Sequence, residues 1–203
     1  VKLLVATRSA GKQREVKRLL EDSGLDLVFP EDMNLFEDPA EDLLETSDSF
    51  RANALAKAEH FAKRSHLPTV ADDSGLEVFY LGAAPGTRSK RWAGATGTAE
   101  EVDAANNAEL VRRLAGAPAL KRMARYRCAL VLIRTVGAMP EVFEAECAGR
   151  ILEAPAGTAG FGYDPYFFST DLGMSFGEAT DAEKDAVSHR GKAFKALVTA
   201  LKE

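Results

Sequence analysis

The chain has 203 residues, of which 46% are hydrophobic and 28% charged, with two cysteines and a formal net charge of −5. Such a composition belongs to globular proteins, and the length suits one domain of generous size. No stretch approaches the roughly 20 apolar residues that span a bilayer, and the acidic balance argues against a nucleic-acid polymer as partner, which needs a broad basic surface. A single nucleotide asks only for a few local positive groups.

Val1–Ala6 is an apolar run that predicts a buried strand. It carries no basic stretch, longer apolar run or cleavage site, so the expectation is a cytoplasmic rather than a secreted protein. A loop, Thr7–Lys12, leads into a helix from Gln13 to Leu20, with Val16, Leu19 and Leu20 at helical spacing and Gly24 beyond. Leu25–Phe29 follows as a strand, which makes a β-loop-α-β opening. Seven carboxylates fall between Glu31 and Glu45, the pattern of a solvated loop. Asp48 or Ser49 can cap a helix reaching about Arg64, with Phe50, Ala54, Ala58 and Phe61 on one face.

Thr69–Ala71 reads as a short strand, Asp72–Gly75 as a turn, and Leu76–Leu81 as a second strand. Gly82–Gly97 is a loop with a basic knot at Arg88, Lys90 and Arg91. Thr98 and Glu101 form a capping-box signature for a helix to about Ala115. The runs 122–134 and 141–151 suit a hairpin, and the apolar residues around Val131 and Val142 leave room for a dimer face. Cys128 and Cys147 lie in these runs without metal-ligand spacing, as expected of buried thiols in a reducing cytosol. A flexible loop spans Ala154–Gly162, Thr180 and Glu183 form a second capping box, and Ser188 can cap a last helix, Arg190–Lys202. There is no repeat or linker, so residues 1–203 read as a single two-lobed domain.

Five groups of residues could carry chemistry. Thr7, Arg8, Ser9, Ala10, Gly11 and Lys12 precede a helix, where backbone N–H groups, hydroxyls and a lysine attract phosphate; the spacing is not that of a P-loop. Asn53 and Lys57, four apart, share a helix face distinct from the apolar stripe, with Glu45 just upstream; an ordinary exposed face reads the same way. Asp72 and Asp73 leave a strand in different directions, so one carboxylate can hold a hard cation and the other a water; a plain Asx-type turn is the alternative. Gly160–Pro165 offers close backbone approach, an aromatic platform and an acceptor at Asp164, or simply a packed turn. Lys184 with Ser188, His189, Arg190 and Gly191 can donate to a carbonyl or phosphate oxygen. His60 and His66 have no such company and read as surface residues.

In this order the segments resemble the inosine triphosphate pyrophosphatase family. The resemblance runs from Leu3 to about Leu201 and is carried by Glu45-Thr46, Phe50, Asn53-Ala54 and Lys57-Ala58, then Ala71–Leu76, Ala84-Pro85-Gly86, Phe161–Pro165 and Ser188–Gly191. It implies an α/β fold in which a long curved mixed β-sheet is flanked by helices and two lobes surround a nucleotide cleft. It further implies a homodimer, Mg²⁺ as cofactor, and hydrolysis of ITP, dITP or XTP to the monophosphate and pyrophosphate. By position, Thr7–Lys12 match a triphosphate loop, Glu45 and Asp72 metal carboxylates, Asp73 the general base near the metal, Lys57 a phosphate-neutralising lysine, and Asn53 and Ser74 substrate contacts. Phe161, Gly162, Tyr163, Asp164, Lys184, His189 and Arg190 match the base pocket, with the purine on Phe161 and the 6-oxygen sensed by His189 and Arg190.

The chain departs from the family pattern at three places. Thr7-Arg8-Ser9 stands for Thr-Gly-Asn, Gly82-Ala83 for Gly-Gly, and Arg88 for an aromatic. An aspartyl-nucleophile phosphatase would want Asp-x-Asp at the end of the first strand, where Val5-Ala6-Thr7 has none. A non-catalytic nucleotide binder would tolerate losing acids that are all present here.

Overall fold

A computed structural model of the chain describes residues 2–202; Val1, the start of the first predicted strand, lies outside them. β1 (Lys2–Val5) and β2 (Asp26–Val28) pair in parallel around α1 (Ala10–Leu19), the β-loop-α-β opening that the apolar spacing predicts. α1 starts at Ala10 rather than Gln13, because the Ser9 side chain accepts the Lys12 N–H at 3.4 Å and caps the first turn. Part of the predicted phosphate loop is therefore helix. The acidic stretch is not wholly irregular: it folds into 3₁₀ turns at Glu31–Met33 and Pro39–Leu43. α2 (Phe50–Ser65) is capped by Ser49, which accepts from Ala52 N at 3.3 Å, and it ends at His66 in the left-handed region. His66 is exposed, as expected, whereas His60 is half-buried rather than a surface residue.

The largest departure from expectation concerns Asp72–Gly75, which form no turn. β3 runs unbroken from Thr69 to Val78 and is buried along nearly its whole length. It has β1 on one side and β5 on the other. β1 pairs with the start of β3 at Thr69 and Val70 and a further strand with its end at Glu77 and Val78, so strand pairing in the sheet overrides the turn preference of Asp, Ser and Gly. The strand also stops short of Leu81, since Phe79–Leu81 is a 3₁₀ turn.

β4 (Ala84–Pro85) pairs antiparallel with the end of β3, and a 3₁₀ segment occupies Gly86–Arg91. α3 (Ala99–Arg113) opens with the expected capping box of Thr98 and Glu101. β5 (Met123–Ile133) and β6 (Glu141–Ile151) are sheet neighbours. β7 (Phe167–Ser169) and β8 (Met174–Ser175) follow, then α4 (Asp181–Val187), with its Thr180–Glu183 capping box, and α5 (His189–Leu201). The mixed sheet has the order β2-β1-β3-β5-β6-β7-β8, with β4 beside β3.

The chain divides into two compact units, whose boundaries fall within β3, β5, β6 and α5. The first takes the chain up to Asp73, Cys128–Ala145 and everything from Gly191 on; the second takes Ser74–Arg127 and Glu146–Arg190. The first unit has two apolar clusters, one built on Leu3, Val5, Val16, Leu130 and Phe194, the other on Leu4, Ala54, Phe61 and Val131. Val131 is wholly buried, and Val142, half-buried, packs against the same cluster. The second unit is built on Leu76, Leu110, Tyr126, Phe167 and Phe176. Cys128 and Cys147 are buried thiols. Among the described residues, no helix is long and apolar enough to cross a membrane.

Candidate active site

In the first unit, charged side chains gather where α1 and α2 meet β3. Successive strand residues face opposite ways, and the two adjacent carboxyls accordingly find different partners. Asp72 Oδ2 pairs with Lys12 Nζ at 2.9 Å. Asp73 Oδ2 accepts from Asn53 Nδ2 at 2.8 Å. Asn53 also donates to Ser47 O and accepts from Ser47 N, both at 3.0 Å, so its amide is held rigidly toward Asp73. Lys57 donates to Glu45 and, at 2.5 Å, to the Asp72 carbonyl oxygen. The sequence left Asn53 and Lys57 open to solvent; instead they are 1% and 8% exposed. Burial is tolerable because each polar atom meets a partner of opposite character.

The electrostatics follow from that arrangement. Burial works against the Lys57 charge, but Glu45, Asp72 and Asp73 together raise its pKa. Burial opposes the Glu45 charge as well, and here Lys57 and Lys12 outweigh it and hold the carboxyl below its ordinary range. At Asp73 the balance falls the other way. Burial pushes its pKa up, and the lysines and the Asn53 amide only partly offset that. One carboxylate is thus kept ionised while its neighbour is made more basic, the separation on which acid–base chemistry depends.

Thr7 is buried, and its carbonyl accepts from Gln13 Nε2 at 3.0 Å. Ser9 is the cap of α1, and Ala10, Gly11 and Lys12 form its first turn, so their backbone N–H groups lie at a helix N-terminus, the positive end of the helix dipole. Arg8 is placed elsewhere. Its guanidinium grips Glu41 with two bonds of 2.7 Å and donates to Leu35 O at 2.8 Å, which ties down the acidic segment. The bidentate fork to a carboxylate is the geometry Arg prefers.

A hard divalent cation takes oxygen donors, and Mg²⁺ uses one or two carboxylates with waters and substrate phosphates. Among the described residues, no three His, Cys, Asp or Glu side chains converge as a full ligand shell. The donor set nevertheless suits such an ion. Glu45, Asp72 and Asp73 offer only oxygen, and they oppose one another's charge, Asp72 acting on Glu45 and Glu45 on Asp73. Lys12 and Lys57 supply the counter-charge.

The second unit gathers the other predicted residues. Lys184 Nζ pairs with Asp164 Oδ2 at 2.6 Å, with both side chains almost fully buried. The same Asp164 oxygen accepts the Phe161 N–H at 3.0 Å. Lys184 Nζ and the Arg190 guanidinium lie 5.1 and 5.9 Å from the centre of the half-buried Phe161 ring. Arg190 also donates to Ser74 Oγ at 2.7 Å. His189 lies flat on Tyr126, with ring centres 4.7 Å apart and planes 7° from parallel. Tyr163 is buried and donates its hydroxyl to Ser89 O at 2.6 Å, so it anchors the loop from beneath. A side chain at Gly160 would be strained: φ is +75°, and a Cβ would sit 2.1 Å from Asp164 Oδ2, which would have to shift.

Several contributors escaped the sequence reading. Tyr126 supplies the platform under His189. On α3, Asn106 donates to Lys90 O at 2.9 Å and accepts Ala93 N–H at 2.8 Å, while Asp103 and Asn107 bond Gly162. Burial, with Asp164 and Glu100 nearby, raises the Asp103 pKa against the opposing Gly162 N–H bond. A signal was present: 103, 106, 107 and 110 fall at helical spacing, and the inward stripe that ends in Leu110 carries three polar residues.

Comparison with known proteins gives a consistent result. Residues 3–200 match the model of the Ham1 family. The chain is 45% identical over 202 residues to a dITP/XTP pyrophosphatase of Shigella flexneri, covering 99% of this chain and 98% of that protein. It is 44% identical over 202 residues to the dITP/XTP pyrophosphatase of Escherichia coli strain K12, with the same coverage. Its structure is similar to that of a HAM1 protein from Coxiella burnetii, with a TM-score of 0.85, 32% identity, and coverage of 100% of this chain and 98% of that one. With lysines and carboxylates gathered in one unit, aromatic and cationic side chains gathered in the other, and this match along nearly its whole length, the chain belongs to the Ham1 family.

Proposed function

We propose that this protein hydrolyses the non-canonical purine nucleoside triphosphates ITP, dITP and XTP to the monophosphate and pyrophosphate, with Mg²⁺ as cofactor, and so clears deaminated purines from the nucleotide pool. Asp73 carries this reading. It is a buried carboxyl of raised pKa, aimed by Asn53 and flanked by Lys57, the environment of a general base. The relatives named dITP/XTP pyrophosphatase, similar from end to end, support the substrate class.

Asp73 orients the attacking water and takes its proton. Lys12 and Lys57 balance the charge that develops on the phosphate oxygens, and the α1 N-terminus, with Thr7 and Ser9, receives the triphosphate. Glu45 and Asp72 would hold Mg²⁺, which acts as a Lewis acid on phosphate oxygen. The purine stacks on Phe161, and His189 and Arg190 donate to the 6-oxygen. Adenine places a donor amine at that position and leaves buried donors unpaired, a mismatch that discriminates strongly.

The expected assembly is a homodimer in the cytoplasm, with no membrane or nucleic-acid polymer as partner. The exposed side chains of Phe79, Tyr80, Leu120 and Met123 offer apolar surface for it. Incubation with ITP, XTP or ATP and Mg²⁺, followed by anion-exchange separation, tests the activity. Monophosphate plus pyrophosphate from ITP and XTP, with ATP largely spared, is the expected result. Diphosphate plus orthophosphate would overturn the reading.

A further inference from the structure

The Gly160–Asp164 loop carries the Phe161 ring, and three residues of α3, Asp103, Asn106 and Asn107, hold the surrounding backbone. Gly162 donates its N–H to Asp103 Oδ2 at 2.7 Å and accepts from Asn107 Nδ2 at 2.9 Å through its carbonyl. Asp103 and Asn107 are one helical turn apart, so a single rigid helix grips both polar groups of one residue. Gly162 needs that grip. Its φ of +63° lies in the left-handed region, where no side chain of its own can lock it. Next to it, Tyr163 bonds Ser89 O at 2.6 Å, and Asn106 donates to that same oxygen at 3.2 Å. The Asn107 amide is oriented only by the Gly162 carbonyl, because its Oδ1 has no partner among the described residues.

We infer that Asp103 and Asn107 are positioning residues for purine recognition, which clamp the Gly162 peptide groups and thereby fix the Phe161 ring against Lys184 and Arg190. The inference rests on the base-pocket role proposed for Phe161. The clamp acts through hydrogen-bond polarity rather than charge: position 103 must accept and position 107 must donate. An amide can therefore replace the carboxylate at 103, since its oxygen still accepts. A carboxylate at 107 would face the Gly162 carbonyl oxygen and repel it.

The test compares Asp103→Ala, Asp103→Asn, Asn107→Ala and Asn107→Asp with the wild type. ITP kinetics are measured together with the affinities for inosine monophosphate and pyrophosphate, and thermal melts report on folding. Both alanine variants should raise KM for ITP about tenfold with kcat nearly unchanged, the signature of lost binding shared by ground and transition states. Affinity for inosine monophosphate should fall in parallel and that for pyrophosphate should hold. Asp103→Asn should stay near wild type, and Asn107→Asp should be worse than Asn107→Ala. Equal damage from Asp103→Asn and Asp103→Ala, or loss of kcat at constant KM, overturns the clamp alone. A wild type that binds no inosine nucleotide overturns the purine reading and the clamp with it.

Discussion

Each unit holds a buried lysine paired with a carboxylate, but the two pairs have different surroundings. Lys57 lies among three carboxyls and a second lysine, and its partner Glu45 remains 31% exposed. Lys184 and Asp164 are 6% and 4% exposed, and aromatic rings and backbone bonds surround them. The first pair can exchange its partners, because other charges wait nearby. The second is a fixed post on which the Phe161 loop is built. One unit is arranged to redistribute charge, as phosphate chemistry requires, and the other to hold a shape.

The largest effect expected in the first unit is on turnover. Asp73→Asn should lower kcat by about 10²–10⁴-fold, the usual contribution of a positioned base, while nucleotide binding measured by calorimetry persists. Wild-type rates in that variant would remove Asp73 from the proton transfer. Stability separates the two lysines. Lys184→Met strands Asp164 in the interior and should cost about 3–5 kcal/mol in denaturant melts. Lys57→Met should cost less, because Glu45 can reach solvent; the reverse order would break the contrast drawn between the pairs.

Recognition in the second unit should respond in a subtler way. Arg190→Gln should narrow the ratio of kcat/KM for ITP over ATP by about 10–100-fold, and an unchanged ratio would exclude Arg190 from sensing the 6-oxygen. The smallest expected effect lies at Ala83, where the chain departs from the family's second glycine. Its φ is +67°, a left-handed conformation that costs a residue with a Cβ, and its side chain is exposed. Ala83→Gly should raise stability by about 0.5–1 kcal/mol with activity unchanged. No gain in the melting temperature would mean that the turn is not strained.

Much of this molecule was legible in its sequence. The opening β-loop-α-β unit, both capping boxes and the long helices follow from local rules, in which a cap or an apolar stripe needs only near neighbours in the chain. The groups of residues expected to act together were also visible, because side chains four apart on a helix or adjacent on a strand have fixed relations.

What the sequence could not decide was how distant segments divide those residues among themselves. Asp72–Gly75 has the composition of a turn, and only the strands on either side make it the middle of β3. Arg8 sits in the predicted phosphate loop, yet Glu41, thirty-three residues away, captures it. Asn53 and Lys57 look solvated until β3 brings carboxyls over them. Asp103 and Asn107 look like ordinary polar helix residues until Gly162 arrives from fifty-five or more positions downstream. The sequence by itself determined the inventory of groups and their local geometry. Only the tertiary structure decided their partners, because hydrogen-bond and charge complementarity between distant segments depends on which backbones the sheet brings side by side.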